Sequence, residues 1–165
     1  MNVLAAEIWD PVSQSWSVMA SMTLPRVTHS TAFLTPDARV VATGDTGDRL
    51  TRLTAEVYSP PYLFQGPRPV IASVFPNPAS YNSEIVITLA VSMPISKVAL
   101  VSPSAVTHGF DQNQRYVPLT VVSQVRTTVS VMSPPNPNIA PPGFYMLFVL
   151  SSGVPSEAVF LKLTL

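Results

Sequence analysis

Proline is the residue that most constrains this chain. The 165 residues include 18 prolines, which are spread along the sequence and leave little room for a helix between them. Proline lacks the backbone N–H and has a fixed φ, so it breaks a helix interior. The segments between prolines are short runs rich in β-branched and aromatic residues, bounded by Pro, Gly, Ser and Asn clusters. This pattern predicts an all-β protein.

Charge and cysteine usage exclude several functional classes. Charged residues make up 11% of the chain, against a typical figure of about 25%. Nine basic residues balance nine acidic ones, so the sequence predicts no nucleic-acid partner. The absence of cysteine excludes disulfides, thiolate metal sites and cysteine nucleophiles.

No segment has the character of a membrane or targeting element. The longest strongly apolar run, "FYMLFVL" at residues 144–150, is far shorter than the ~18 residues that a membrane span requires. The opening "MNVLAAEIWDP" has neither a basic start nor a sustained apolar stretch. We therefore expect no signal peptide and no membrane contact.

An internal repeat marks the N-terminal region. "AEIWDP" at residues 6–11 recurs as "AEVYSP" at residues 55–60, and the two glutamates lie about 50 residues apart. That period is typical of kelch-type propeller blades, each a four-stranded sheet. Three further strand candidates, "SWSVMASM", "THSTAFL" and "RVVATG", lie between the copies. Residues 1–66 are predicted to be a partial kelch-type propeller segment.

The character of the sequence changes after the Pro/Gly-rich segment at residues 59–69. Seven strand-like runs with turn residues between them follow. This spacing predicts a seven-stranded immunoglobulin-like β-sandwich over residues 67–165, without the cysteine pair of antibody domains. A lone blade would leave its sheet edges and faces bare. We therefore expect either that the first segment packs on the sandwich or that the chain is the C-terminal end of a longer protein.

Five segments share their pattern with a known family. In order, they are "AEIWDPVSQSWSVMASMTLPR", "THSTAFLTPDARVVATG", "AEVYSPPYLFQGPRPVI", "THGFDQNQRYVPL" and "PPGFYMLFVLSSGVPSEA". Together they resemble the C-terminal part of the copper-radical oxidases, the galactose oxidase and glyoxal oxidase family. The resemblance implies a kelch-type propeller joined to an early-set immunoglobulin-like domain. It also implies an extracellular protein whose family oxidises primary alcohols or aldehydes with O2 to give H2O2.

The same resemblance assigns candidate copper ligands. It implies a copper ion held by two histidines, an axial tyrosine and an equatorial tyrosine cross-linked to a cysteine. The two histidine positions are His29 and His108, whereas Thr28 occupies the position of the axial tyrosine. The Tyr–Cys radical cofactor has no counterpart here, because the chain has no cysteine. Copper binding is therefore expected to be weak or vestigial, with no catalysis by this chain alone.

Several residues that suggest a binding site also have a purely structural interpretation. Without the family resemblance, His29 is interpreted as a strand-edge histidine that bonds to a backbone carbonyl. Arg115 is interpreted as a residue that clamps a loop by bonding to backbone carbonyls, and not as a group that orients a ligand. "GDTGDR" at residues 44–49 has too few oxygen ligands for calcium and is predicted to be a hairpin turn. A sugar-stacking surface is the alternative to a core position for four aromatic residues. They are Trp9, Trp16, Tyr58 and Tyr62.

Three functions stay open from the sequence. The chain is an inactive derivative or part of a copper-radical oxidase, with the missing propeller blades as its partner. Alternatively, it is an independent structural module that contacts glycans or another protein. In the third hypothesis it completes an oxidase in trans by supplying its two histidines. Fold alone does not separate these functions.

Overall fold

The computed structural model describes residues 3–51 and 53–165 and is an all-β structure with a single short 3-10 helix at Pro61–Phe64. Within these residues no helix has the length and hydrophobicity needed to cross a membrane. The N-terminal strands are β1 (Ala5–Asp10), β2 (Ser15–Ser21), β3 (Thr31–Leu34), β4 (Val40–Thr43) and β5 (Ala55–Tyr58).

These five strands form two separate antiparallel sheets. β1 pairs with β2 in a hairpin, and β3, β4 and β5 form a three-stranded meander. The two copies of the sequence repeat, β1 and β5, therefore lie in different sheets. The predicted kelch-type blade is not confirmed, because the described residues contain no four-stranded sheet in this region.

The C-terminal region contains eleven strands. They are β6 (Ile71–Phe75), β7 (Ala79–Ser80), β8 (Glu84–Leu89), β9 (Lys97–Val101), β10 (Val106–Thr107), β11 (Phe110–Asp111), β12 (Tyr116–Val125), β13 (Thr128–Met132), β14 (Gly143–Ser151), β15 (Val154–Pro155) and β16 (Val159–Thr164). Each of the seven predicted runs contains one of the longer strands. The predicted count of seven is not confirmed, because four strands of two residues each, β7, β10, β11 and β15, are added. Such short pairings carry no alternation that a sequence could reveal.

β12 joins the two layers of this region. Its first half, through Leu119, pairs with β9, and its second half pairs with β13. The register shifts between Val121 and Ser123, and a strand can pass from one sheet to another at such an irregularity. One layer therefore runs β6–β8–β13–β12, and the other runs β12–β9–β14–β16–β7.

The core lies between these two layers. Alternate residues of each strand point inward, as the period of two requires. On β14, for example, Tyr145, Leu147 and Val149 belong to the main buried cluster. The largest fully buried side chains also include Ile85, Ile87, Leu89, Val98, Leu100, Val129, Val131, Leu161 and Leu163.

The turn between β3 and β4 attaches the N-terminal strands to the sandwich. Ala38 in this turn packs in a second buried cluster with Met146 and Phe148, which lie on the opposite side of β14 from the main core. The Ala158 backbone N–H donates to the Pro36 carbonyl at 2.8 Å, and the Tyr62 hydroxyl donates to the Ala38 carbonyl at 2.7 Å. Apolar packing and hydrogen bonds thus fix one region on the other.

Arg68 strengthens this junction. Its Nε donates to the Pro155 carbonyl at 2.9 Å, and its Nη2 donates to the carbonyls of Asp37 and Ser156 at 2.9 and 2.8 Å. One guanidinium therefore links the β3–β4 turn to the segment that precedes β16.

Candidate metal-binding site

His29 lies at an irregularity just before β3. Thr31 pairs with Thr43, but further out the Asp45 N–H donates to the Thr28 carbonyl at 3.1 Å. His29 and Ser30 therefore face the single residue between Thr43 and Asp45, as in a β-bulge. His29 has φ 49° and an exposed side chain. Bulges change the direction of a side chain and are frequent next to functional sites.

Gly44 makes this bulge possible. It has φ +121°, a region that favours glycine, and a Cβ at this position would lie 2.4 Å from Ser30 Cα and 2.6 Å from the His29 carbonyl oxygen. Backbone atoms cannot yield by that amount at low cost. The glycine thus lets the end of β4 approach the His29 backbone closely.

Arg26 also holds the backbone at Gly44, next to His29. Its side chain is 4% exposed, and Nη1 donates to the carbonyls of Gly44 and Thr54 at 3.0 and 3.1 Å. Nη2 lies 3.4 Å from the Glu56 carboxylate, which also accepts from the Thr23 N–H at 2.6 Å. The hydrogen bond from the Thr23 backbone contributes most to lowering the pKa of Glu56. Arg26 was not predictable as a site residue from its own sequence context, although its partner Glu56 belongs to the second repeat copy.

His108 lies in a tight hairpin. β10 and β11 pair through Val106–Asp111 and Thr107–Phe110, which leaves His108 and Gly109 as the two turn residues. Their φ values of 53° and 73° fit a type I′ turn, which requires φ > 0 at both positions. The His108 side chain is exposed, and its Nδ1 lies 2.8 Å from Thr107 Oγ1.

Asp111 braces this hairpin from its base. Its Oδ1 accepts from the backbone N–H groups of Ala105 and Asn113, both at 2.9 Å. Burial acts to raise the pKa of Asp111, but these hydrogen bonds outweigh it and lower the pKa. The carboxylate therefore stays ionised and keeps the turn that carries His108 in place.

The two histidine segments meet at one cleft. The β10–β11 hairpin lies against β3, and a cleft of about 450 Å³ opens between them. Ser30, which follows His29, and Gly109, which follows His108, both line this cleft, although neither imidazole is among the lining side chains. The fold thus brings together two segments that are distant in the sequence.

The described residues do not bring together a complete set of copper ligands. Among the described residues, no group of three or more His, Cys, Asp or Glu side chains is arranged to hold a metal ion. The Thr28 hydroxyl donates to Asp45 Oδ2 at 3.2 Å. A threonine hydroxyl does not ionise at neutral pH, so it does not replace a phenolate ligand.

Arg115 and the turn at residues 44–49 both have structural roles. Arg115 Nη1 donates to the Ile139 carbonyl at 2.6 Å, which is the loop-clamping contact that the sequence favoured. Residues 44–49 form a turn in which Asp45 and Asp48 accept from the N–H groups of Gly47 and Leu50.

The core assignment is wrong for two of the four aromatic residues. Trp9 is 43% exposed and Trp16 is 65% exposed, and their ring centroids lie 5.5 Å apart on the β1–β2 hairpin. The physical reason is that no described part of the chain covers this face of the hairpin. Tyr58 and Tyr62 are partly buried, in agreement with the expectation.

Comparison with known proteins gives consistent matches. The profile of the family described as "Galactose oxidase-like, Early set domain" matches residues 68–163. The aldehyde oxidase GLOX of Vitis pseudoreticulata is 36% identical over 93% of this chain, which covers 33% of that protein. A galactose oxidase of Gibberella zeae is 31% identical over 98% of this chain, which covers 25% of that protein.

A solved structure is similar over nearly the whole chain. It is a fungal alcohol oxidase of the AA5 family in complex with copper, with a TM-score of 0.89 and 31% identity. The match covers 99% of this chain and 36% of that one. The chain therefore spans about a third or less of the length of the curated relatives described above.

Proposed function

The chain belongs to the galactose oxidase-like early set family, and from this premise we propose that it is the C-terminal part of a galactose oxidase or glyoxal oxidase-like protein. In that protein, the complete polypeptide oxidises a primary alcohol or aldehyde with O2 and releases H2O2. The chain alone does not carry out this reaction. An extracellular location is part of the same proposal, which rests on the family resemblance.

The single observation that supports this proposal is the cleft between β3 and the β10–β11 hairpin. The bulge at His29 and the type I′ turn at His108 place two histidine segments beside it, and each histidine has a left-handed backbone. Non-glycine residues in such conformations are held by their surroundings and concentrate at functional sites. Two imidazoles are nevertheless only part of a copper site, which accounts for the expected inactivity.

The residues at and beside this cleft have different roles in the proposed copper site. His29 and His108 are the candidate copper ligands, and the remaining ligands come from chain outside these 165 residues. Gly44 and Arg26 position the His29 backbone, and Asp111 positions the turn that carries His108. Thr28, bonded to Asp45, contributes neither a ligand nor a base.

Copper titration combined with a peroxide assay tests the proposal. The purified chain should bind Cu(II) no tighter than micromolar and release no peroxide when it is given a primary alcohol or aldehyde. Gln14→Ala is a matched control, because Gln14 also has a positive φ, 53°, is exposed and does not line the cleft. A tight one-to-one site that His29→Ala or His108→Ala abolishes, but Gln14→Ala does not, would favour completion of an oxidase in trans. Steady peroxide release by the chain itself would refute the proposal.

The exposed tryptophan pair supports a second candidate, a non-catalytic module that binds glycans or another protein. Trp9 and Trp16 present aromatic surface on the β1–β2 hairpin, which is remote in sequence from the early-set region. Aromatic faces are common in contacts with partners. Binding to a glycan array that Trp16→Ala removes would support this candidate, and its absence would leave the oxidase-derived proposal as the better one.

A further inference from the structure

The two candidate ligand histidines differ in what holds their imidazole rings. Each of them follows a threonine, Thr28 before His29 and Thr107 before His108. The Thr28 hydroxyl donates to Asp45 Oδ2 at 3.2 Å, and within the described part of the chain the His29 imidazole has no hydrogen-bond partner. The Thr107 hydroxyl instead lies 2.8 Å from Nδ1 of the His108 imidazole. Only one of the two threonines therefore bonds to the imidazole that follows it.

The β10–β11 hairpin holds this threonine and this imidazole at hydrogen-bond distance. Thr107 pairs with Phe110 at the end of the hairpin, and His108, with φ 53°, is the first of its two turn residues. Both side chains are exposed, so their contact is not a by-product of packing in a core. The Asp111 carboxylate accepts from two backbone N–H groups and keeps the base of the hairpin in place. A braced backbone thus carries the hydroxyl and the ring nitrogen side by side.

The contact occupies one ring nitrogen of His108 and leaves the other available. A neutral imidazole has one N–H donor and one acceptor nitrogen, and metal ions bind through the nitrogen that carries no proton. When the Thr107 hydroxyl donates to Nδ1, the ring proton lies on Nε2. When Nε2 is ligated instead of protonated, the proton lies on Nδ1 and is donated to Thr107 Oγ1, because a hydroxyl accepts as well as donates. Both forms of the ring keep the same contact.

We propose that Thr107 is a positioning residue, whose hydroxyl fixes the tautomer and the ring orientation of His108 so that Nε2 is presented as the metal-binding nitrogen. This inference rests on the proposed function, because it deals with the ligand position that the function assigns to His108. Hydrogen-bond partners of the non-ligating nitrogen orient ligand histidines in metal sites, and their loss typically lowers metal affinity by about 10- to 100-fold. His108 is therefore the preorganised member of the pair, and His29 is not.

The tautomer of His108 tests this role without copper or activity. The chain has 2 histidines, so isotope-labelled histidine gives one set of ring signals for each. Long-range proton–nitrogen correlation spectra in mildly alkaline solution, where imidazole is neutral, show which nitrogen carries the proton. Thr107→Val removes the hydroxyl and keeps the β-branched shape, whereas Thr107→Ser keeps the hydroxyl. Thr28→Val is the matched control, because the Thr28 hydroxyl contacts Asp45 and not an imidazole.

The expected result is that the Nε2–H form of His108 predominates in the parent chain and in Thr107→Ser. Thr107→Val should lower the ratio of the Nε2–H to the Nδ1–H form by about three- to tenfold, as expected for the loss of one hydrogen bond. The ratio at His29 should stay the same in both Thr107 variants, and Thr28→Val should leave the ratio at His108 unchanged. An unchanged ratio in Thr107→Val, or a predominant Nδ1–H form in the parent chain, would overturn the proposal.

Folding of the variants is checked by circular dichroism. Thr107 is exposed and valine is favoured in strands, so the substitution should not disturb the sandwich. If Thr107→Val does not fold, Thr107→Ala is the second variant without a hydroxyl, and the same change in the tautomer ratio is expected. A merely structural role of Thr107 would change stability without moving this ratio.

Loading with Cu(II) gives a second readout that does not depend on turnover. In the His29→Ala background, pulsed EPR detects the non-ligating nitrogen of the His108 imidazole. Thr107→Val should change the quadrupole coupling of that nitrogen, because it loses its hydrogen-bond partner, and Thr107→Ser should retain the parent value. Identical couplings in all three chains would contradict the role of Thr107. Absence of an imidazole signal at saturating Cu(II) would overturn the assignment of Nε2 as a metal-binding nitrogen.

This result and the test of the proposed function fail separately. A tautomer ratio that depends on Thr107, in a chain that itself releases peroxide, would uphold the role of Thr107 and reject only the proposed function. A ratio that does not depend on Thr107, in a chain that releases none, would reject only the role of Thr107.

Discussion

The N-terminal strands and the sandwich are built from similar β-rich sequence, but they differ in how they are stabilised. The sandwich closes a core between its own two layers, and almost all of the fully buried apolar side chains lie in it. Among the described residues of the N-terminal region, the buried apolar residues are Ala38 and Pro60, and Ala38 packs against Met146 and Phe148 of the sandwich. Regular β-strands thus form in both regions, but among the described residues only the sandwich encloses an extended core of its own.

Free sheet edges show the same difference. In the described residues β5 pairs only with β4, and β1 pairs only with β2. Val18 and Trp16 on the hairpin are more than half exposed. Open edges and bare apolar faces invite association, and closed propellers avoid this by placing blades side by side. The described N-terminal strands therefore keep open edges and exposed apolar side chains, whereas the sandwich covers most of its apolar residues between two layers.

The largest expected effect compares a core position of the sandwich with an exposed position of the N-terminal hairpin. Leu147→Ala should lower the free energy of unfolding by about 3 kcal/mol, because it leaves a cavity at a fully buried position. Val18→Ala on the exposed hairpin should change it by less than about 0.5 kcal/mol. Urea denaturation followed by circular dichroism measures both. A loss at Val18 comparable to that at Leu147 would show that the hairpin has a core of its own.

The backbone at His29 provides the next test. Gly44→Ala should destabilise the N-terminal sheet by about 2 kcal/mol, because the new methyl group meets the Ser30 and His29 backbone and the φ is unfavourable. The NMR signals of His29 should move, while those of His108 and of the sandwich core should not. Gly153→Ala is a control at another positive φ, with only ordinary contact for its Cβ. Unchanged His29 signals would rule out a positioning role for Gly44.

The junction between the two regions is the third target. Arg68→Ala removes three hydrogen bonds to carbonyls and should cost about 2 kcal/mol. The lost stability should weaken the attachment of the N-terminal strands to the sandwich. Protease cleavage of the N-terminal strands should therefore accelerate more than cleavage of the sandwich. Arg68→Lys should restore little, since an ammonium group cannot reproduce the fork of the guanidinium. Equal acceleration in both regions would show that they unfold as one unit.

The smallest effect depends on pH. The Arg39 side chain and then the Thr35 hydroxyl donate to Asp37 and lower the pKa of its carboxyl to about 2. Because the folded pKa lies below the unfolded value, this stabilisation is complete above about pH 4 and disappears as the pH falls through about 2.

Asp37→Asn should therefore cost about 1 kcal/mol at pH 7, a figure reduced for the partial exposure of the pair. The difference between the parent and the variant should shrink as the pH falls from about 4 to about 2 in urea titrations. Glu157→Gln, at an exposed position, is the control. A difference that grows on acidification would show that the pKa of Asp37 is not lowered.

The sequence alone determined the strand content, the family and the residues to inspect at the candidate site. Alternation and turn chemistry are local, so the seven long sandwich strands and the β3–β4 turn were predictable from short windows. The position of β12 in both layers, the close approach of Gly44 to His29 and the clamp formed by Arg26 were not. They depend on which strands pair, and pairing partners are distant in sequence.

Tertiary structure also decided what is buried. Sequence patterns place Trp9 and Trp16 in a core, because large aromatic side chains are usually covered in a complete fold. They are exposed here, since burial depends on whether a second surface is present and not on the residue itself. For the same reason, only the folded chain showed that two histidine segments share a cleft.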